Sequence, residues 1–198
     1  MEITAAMVKE LRERTGAGIL ECRNVLAETN GDFDKAADLL RERGLAKAAK
    51  KAGRETNQGL IEAYIHAGGR VGALVELNCE TDFVARTPEF RELAHDLAMQ
   101  VVAANPRYMD VSDVPADVLE HQASDYRAEF ENQGKPAHIL DKIVTNKLES
   151  FLDEVCLLRQ PFIKDGNMSV SDLVTARIAQ IGENIVVRRF ARFELGSQ

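Results

Sequence analysis

The chain has 198 residues, 45% of them hydrophobic, which is enough to fill a core and excludes global disorder. Its 25 basic and 32 acidic side chains leave a net charge of −7, which argues against a broadly basic nucleic-acid binder. No apolar run approaches the roughly 20 residues of a membrane helix, no signal pattern opens the chain, and Cys22, Cys79 and Cys156 form no pair motif. A soluble, reduced, cytoplasmic protein is expected.

The first segment predicts three short helices. Ile3, Met7, Val8 and Leu11 recur at helical spacing until Thr15-Gly16-Ala17-Gly18 breaks the pattern. Ile19, Cys22 and Leu26 mark a second stripe, stopped at Asn30-Gly31. Phe33, Ala36, Ala37 and Leu40 mark a third, between Asp32 and Gly44. Residues 1–54 carry 11 basic and 9 acidic groups, whereas residues 55–198 carry 14 and 23. The change falls at Ala46-Lys47-Ala48-Ala49-Lys50-Lys51-Ala52-Gly53-Arg54, an alanine-rich, basic stretch that predicts an exposed linker helix. An RNA-facing patch is the other reading of those charges. The domains are expected at 1–54 and 55–198.

From residue 57 the period changes. Asn57-Gln58-Gly59 reads as a turn, Leu60 to His66 as a strand, and Ala67-Gly68-Gly69-Arg70 as a hairpin turn. Val71, Ala73, Val75 and Leu77 alternate as a second strand, and Ile185 to Phe193 is a β-rich third. Thr87-Pro88 opens a helix whose stripe is Phe90, Leu93, Ala94, Leu97, Ala98, Val101 and Val102. Ser169 and Asp172 have capping-box spacing before Leu173, Val174, Ile178 and Ile181. Between them lies a helical hairpin at about 116–158. Leu119, Ala123, Tyr126 and Phe130 mark one arm, Gln133-Gly134-Lys135-Pro136 the turn, and Leu140, Val144, Leu148, Phe151, Val155 and Leu158 the other. The fold class is α+β: three helices, then a three-stranded antiparallel sheet covered by helices.

Little in the residues points to bond-making chemistry. His66, His95, His121 and His138 lack metal-ligand spacing, so neither a metal nor another cofactor is expected. Cys22 and Cys79 sit where buried structural thiols sit. Gly68-Gly69-Arg70-Val71-Gly72 lies between strands, where a phosphate cradle lacks its helix. The odd segment is Glu80-Thr81-Asp82-Phe83-Val84, an aromatic beside an acid in a connecting loop. Either Phe83 and Val84 tuck back under the sheet, or Asp82-Phe83 projects as an anchor for a partner.

Thr81-Asp82-Phe83-Val84 resembles the signature of the bacterial elongation factor Ts family. So do Val8 through Gly18, Asn30-Gly31-Asp32, Lys47 through Gly53, Gln160-Pro161-Phe162 and Ile181-Gly182-Glu183-Asn184-Ile185. That resemblance implies a nucleotide-exchange factor for elongation factor Tu, not an enzyme, with a ubiquitin-associated-like N-terminal module. It implies docking through Arg12, Ile19 and Leu20, and Mg²⁺ dislocation by Thr81, Asp82, Phe83 and Val84. His66 is a further partner contact on the same ground, or simply a hairpin-end histidine. Short family members are dimers, and a lone three-stranded sheet leaves an apolar face open, so a homodimer is expected. The helical hairpin packs within that dimer or touches the partner. The competing class is an interaction adaptor built on the N-terminal helices, and neither class calls for nucleic acid or membrane contact.

Overall fold

Residues 2–131 and 136–197 are described in a computed structural model. Thr4 caps α1 (Ala5–Thr15) by accepting a hydrogen bond from the Met7 N–H at 3.3 Å, and Gly16 ends it in the left-handed region. α2 (Ile19–Glu28) follows, then α3 (Phe33–Ala49), whose cap Asp32 accepts from the Lys35 N–H at 3.1 Å. Val8, Leu11, Cys22, Val25, Leu26, Ala36 and Leu40 form the core of these helices. The buried stripe of α2 is therefore Cys22, Val25 and Leu26. Ile19, expected in that stripe, is exposed.

α3 runs through Gly44 instead of stopping before it. Ala46 to Ala49 of the basic stretch are thus the last turn of a long helix, Lys50 to Gly53 follow as turns beyond it, and Ala48 is buried. Glycine inside a helix costs about 1 kcal/mol against alanine. Here it permits close approach, since a Cβ at Gly44 would lie 3.4 Å from the Ala179 Cβ. Lys47 pairs with Glu21, Lys51 donates to the Gly182 carbonyl, and Arg54 pairs with Glu80 at 3.3 Å. Three of the four cations of the stretch are thus engaged inside the chain.

β1 (Gln58–Ile65) and β2 (Val71–Cys79) form the expected hairpin. Gly68 and Gly69 both take positive φ in its turn, and the His66 N–H donates to the Val71 carbonyl at 2.9 Å. Gly59 belongs to β1 and not to a turn. At φ 151° it lies so close to β2 that a Cβ would meet the Leu77 carbonyl oxygen. A one-turn helix, α4 (Asp82–Ala85), replaces the expected loop ahead of α5 (Pro88–Ala104). The Thr87 hydroxyl accepts from the Phe90 N–H at 3.3 Å at the start of α5, and its whole predicted stripe is buried. α6 (Ala116–Glu131) and α7 (Ala137–Val155) are the arms of the helical hairpin. Of its expected turn, Gln133, Gly134 and Lys135 lie outside the described residues. Leu158, assigned to the return arm, falls in a short 3₁₀ turn instead.

A second, unpredicted ladder pairs β3 (Pro161–Phe162) with β4 (Asp165–Ser169). α8 (Val170–Ile181) and β5 (Ile185–Glu194) complete the chain, and the main sheet has the order β1-β2-β5. The class is α+β, with a three-stranded antiparallel sheet.

Contacts divide the chain into two units. One takes the chain up to Glu62, Glu76–His95 and Asp172–Arg188; the other takes Ala63–Val75, Asp96–Ser171 and the chain from Arg189. In the first, Arg177 pairs with Glu92 at 3.3 Å. In the second, the buried Gln160 side chain donates to the Glu154 carbonyl at 2.7 Å and the Ala104 carbonyl at 3.2 Å. Its oxygen accepts from the Gln100 amide at 3.1 Å, so this pair of buried amides satisfies the backbone ends around it. Among the described residues no helix is long and apolar enough to cross a membrane.

Candidate functional site

Of the two positions open to Phe83 from the sequence, the projecting one is found. The ring is 81% exposed, Val84 is half-buried, and Ala85 is the buried residue of α4. A large aromatic held in water on a single helical turn adds nothing to the core and leaves its ring free to be buried by another surface.

The turn is fixed by polar bonds. The Thr81 hydroxyl accepts from the Val84 N–H at 3.4 Å as the N-cap of α4. The same hydroxyl donates to Glu183 Oε1 at 2.6 Å, and the Thr81 N–H donates to Glu183 Oε2 at 3.0 Å. One residue earlier, Glu80 Oε1 accepts the Asn184 N–H at 2.6 Å. That bond, with Arg54 beside it, holds the Glu80 carboxyl below its ordinary range. Asn184 is itself buried and donates its side-chain amide to the Arg54 carbonyl at 2.9 Å. Asp82 pairs with Arg86 at 2.7 Å, four residues on, which leaves a half-exposed carboxylate with a cation of its own. Asp82–Arg86 spacing was open to sequence reasoning. Glu183 and Asn184 were not, because only their motif stood out and nothing local ties them to Thr81.

Arg12, Ile19 and Leu20 share a second feature of the same unit. They line an open cavity of about 450 Å³ with Gly16, Glu21 and Gln180. Ile19 is 59% and Leu20 73% exposed, an apolar pair at the start of α2 beside a guanidinium. This combination suits a partner surface that offers an apolar side chain beside a carboxylate or carbonyl. Gln180, from α8, was missed, since nothing in the first 54 residues announces it.

His66 lies in the other unit, just past β1, exposed, with its Nδ1 3.1 Å from the Tyr64 hydroxyl. All three cysteines are free and buried. Burial pushes the Cys79 thiol up to about 11, and nearby Glu183 adds to the rise. A thiol so raised is the opposite of an activated nucleophile. Among the described residues no group of His, Cys, Asp and Glu side chains is arranged to hold a metal ion.

Known proteins match this chain along its length. The family model for Elongation factor TS matches residues 34–177. Elongation factor Ts of Carboxydothermus hydrogenoformans is 58% identical, across 98% of this chain and 89% of its own. Elongation factor Ts of Caldanaerobacter subterraneus subsp. tengcongensis is 59% identical, across 98% and 97%. That of Fervidobacterium nodosum is 56% identical, across 99% and 100%.

Proposed function

Because the chain belongs to the elongation factor Ts family, we propose that it is a guanine-nucleotide exchange factor: it binds elongation factor Tu–GDP, displaces Mg²⁺ and GDP, and lets GTP rebind during translation elongation. The observation that carries the reading is the exposed Phe83 on a fastened turn, beside the carboxylate of Asp82.

In this mechanism Arg12, Ile19 and Leu20 dock on the partner, and Phe83 enters between partner side chains near the Mg²⁺ and phosphate sites. Thr81 and Val84 frame the turn, and Asp82 disturbs the ligands that hold the ion. Mg²⁺ bridges nucleotide phosphates and protein oxygens, so its loss leaves phosphate charge poorly compensated. Binding that favours the nucleotide-free partner weakens nucleotide by the factor by which nucleotide weakens the exchange factor. No covalent step is required, so the protein acts as a binding catalyst of exchange and not as an enzyme in the bond-making sense. The reading places it in the cytoplasm, without direct nucleic-acid or membrane contact. His66 is a further contact on the partner under the same reading.

We extend the proposal to a homodimer. Ile65, Leu74 and Phe193, from the three strands of the main sheet, are large apolar side chains left in water, and a second copy would cover them. Light scattering should give twice the 21.9 kDa of one chain.

The test is stopped-flow release of a fluorescent GDP from elongation factor Tu. Release accelerated by catalytic amounts of the chain supports exchange. No acceleration by the folded protein overturns it and leaves the N-terminal helices as an adaptor.

A further inference from the structure

We infer that Glu183 is a positioning residue for the exchange reaction: its carboxylate fastens Thr81 and so holds Phe83 where the partner meets it. The inference rests on the exchange reading and adds to it a residue about a hundred positions away in sequence.

Packing cannot hold this turn. Phe83 is in water, Val84 is half-buried, and the buried side chain of α4 is the single methyl of Ala85. An isolated helical turn is far below the length at which a helix stands alone. What remains are polar bonds. Some are local, from the Thr87 hydroxyl to the Val84 carbonyl at 2.9 Å and between Asp82 and Arg86 at 2.7 Å. Those that tie the turn to a distant part of the chain go to the connection between α8 and β5. Both oxygens of Glu183 go to Thr81, one to the N–H at 3.0 Å and one to the hydroxyl at 2.6 Å. Because the hydroxyl donates to Glu183, its lone pairs are turned toward the Val84 N–H, which it caps at 3.4 Å. The carboxylate therefore sets the direction in which Thr81 caps the turn. Next to it, the Asn184 N–H holds Glu80 at 2.6 Å. Residues 80 and 81 are thus both tied to 183 and 184, immediately before the Asp82-Phe83 pair.

Without the carboxylate, the amide and hydroxyl of Thr81 turn to water and the turn frays. Phe83 then occupies the presented position for only part of the time, and the rate of its entry falls by that fraction. Docking through Arg12, Ile19 and Leu20 is untouched. The loss therefore falls on the maximal GDP-release rate, not on the concentration that half-saturates it.

The experiment compares wild type, Glu183→Ala and Glu183→Gln in fluorescent-GDP release from elongation factor Tu, over a concentration series. Amide hydrogen exchange is measured on each free protein. Glu183→Ala should lower the maximal rate about tenfold, the order expected for losing charge-assisted bonds at a half-exposed site, with half-saturation within about twofold. It should expose the Thr81 amide while the α1–α3 amides stay protected. Glu183→Gln, whose amide oxygen can still accept from the Thr81 N–H, should lose about threefold or less. An unchanged maximal rate in Glu183→Ala overturns the inference, as does a loss confined to half-saturation or a Thr81 amide still protected. Failure of the wild type to release GDP sinks the exchange reading and the functional half of this inference. The amide result then still decides whether Glu183 holds the turn.

Discussion

Replacing Phe83 with alanine separates presentation from support. In the free protein the ring is 81% exposed, so its removal should change stability by no more than about 0.5 kcal/mol, as at other surface sites. In the complex the account differs. A buried aromatic removes about 150–250 Å² from water, and four-fifths of that area is still to be buried in Phe83. At about 25 cal/mol per Å², the transfer amounts to about 3–5 kcal/mol. Ordering the side chain takes back about 0.5–1.5 kcal/mol. A net of about 2–4 kcal/mol corresponds to a roughly thirtyfold to several-hundredfold slower GDP release from elongation factor Tu. Stopped-flow release and a thermal melt on the same preparation read both quantities. Release by Phe83→Ala at the wild-type rate would refute the wedge. A several-degree loss of melting temperature would refute the claim that the ring is spare to the fold.

Two further perturbations test the scaffold. Gly59→Ala places a Cβ against the Leu77 carbonyl oxygen and 2.8 Å from the Asn78 Cα, at φ 151°. Backbone strain and overpacking together should cost about 3 kcal/mol or more in urea unfolding, and a loss below about 1 kcal/mol would mean the strands separate easily. Cys79 gives a pH dependence. Its thiol is raised to about 11 in the fold from the usual 9.0, so above pH 9 the unfolded chain gives up its proton first. The unfolded state then binds fewer protons, and stability falls as pH rises from about 9 to about 11 and levels off beyond. At about 1.4 kcal/mol per pH unit, wild type should lose about 2–3 kcal/mol more than Cys79→Ala over that window. Parallel losses in the two proteins would refute the assignment.

The sequence made the long periodic elements legible. The stripe of α5, the hairpin at Gly68-Gly69 and the helical arms all appear where their apolar spacing puts them. Features set by distant partners were not legible. Gly44 looks like a helix stop until Ala179 is seen beside it, and Gly59 looks like a turn until the Leu77 carbonyl is. β3 and β4 are too short, and Asp165-Gly166-Asn167 too polar, to show alternation. α4 is a single turn and carries no period. Within the site, Asp82 and Phe83 declared themselves by being out of place in a loop, whereas Glu183 bonds to a residue 102 positions away. Sequence patterns record local period and local chemistry, and a tertiary clamp has neither.

The bonds that hold residues 51–81 to residues 182–184 also set a schedule. Their partners are separated by 102 to 131 positions: Thr81 with Glu183, Glu80 with Asn184, Arg54 with Asn184 and Lys51 with Gly182. A ribosome adding roughly 5–20 residues per second needs roughly 5–20 s to cover a hundred residues. The three N-terminal helices have their whole apolar cluster by Leu40 and are free to close early. The segment carrying Phe83 is made shortly afterwards, but its anchors, Glu183 and Asn184, follow about a hundred residues later. During synthesis the nascent chain therefore carries Ile19 and Leu20 on helices free to close before the clamp on the Phe83 turn can form, and Gln180, which completes their cavity, arrives with that clamp.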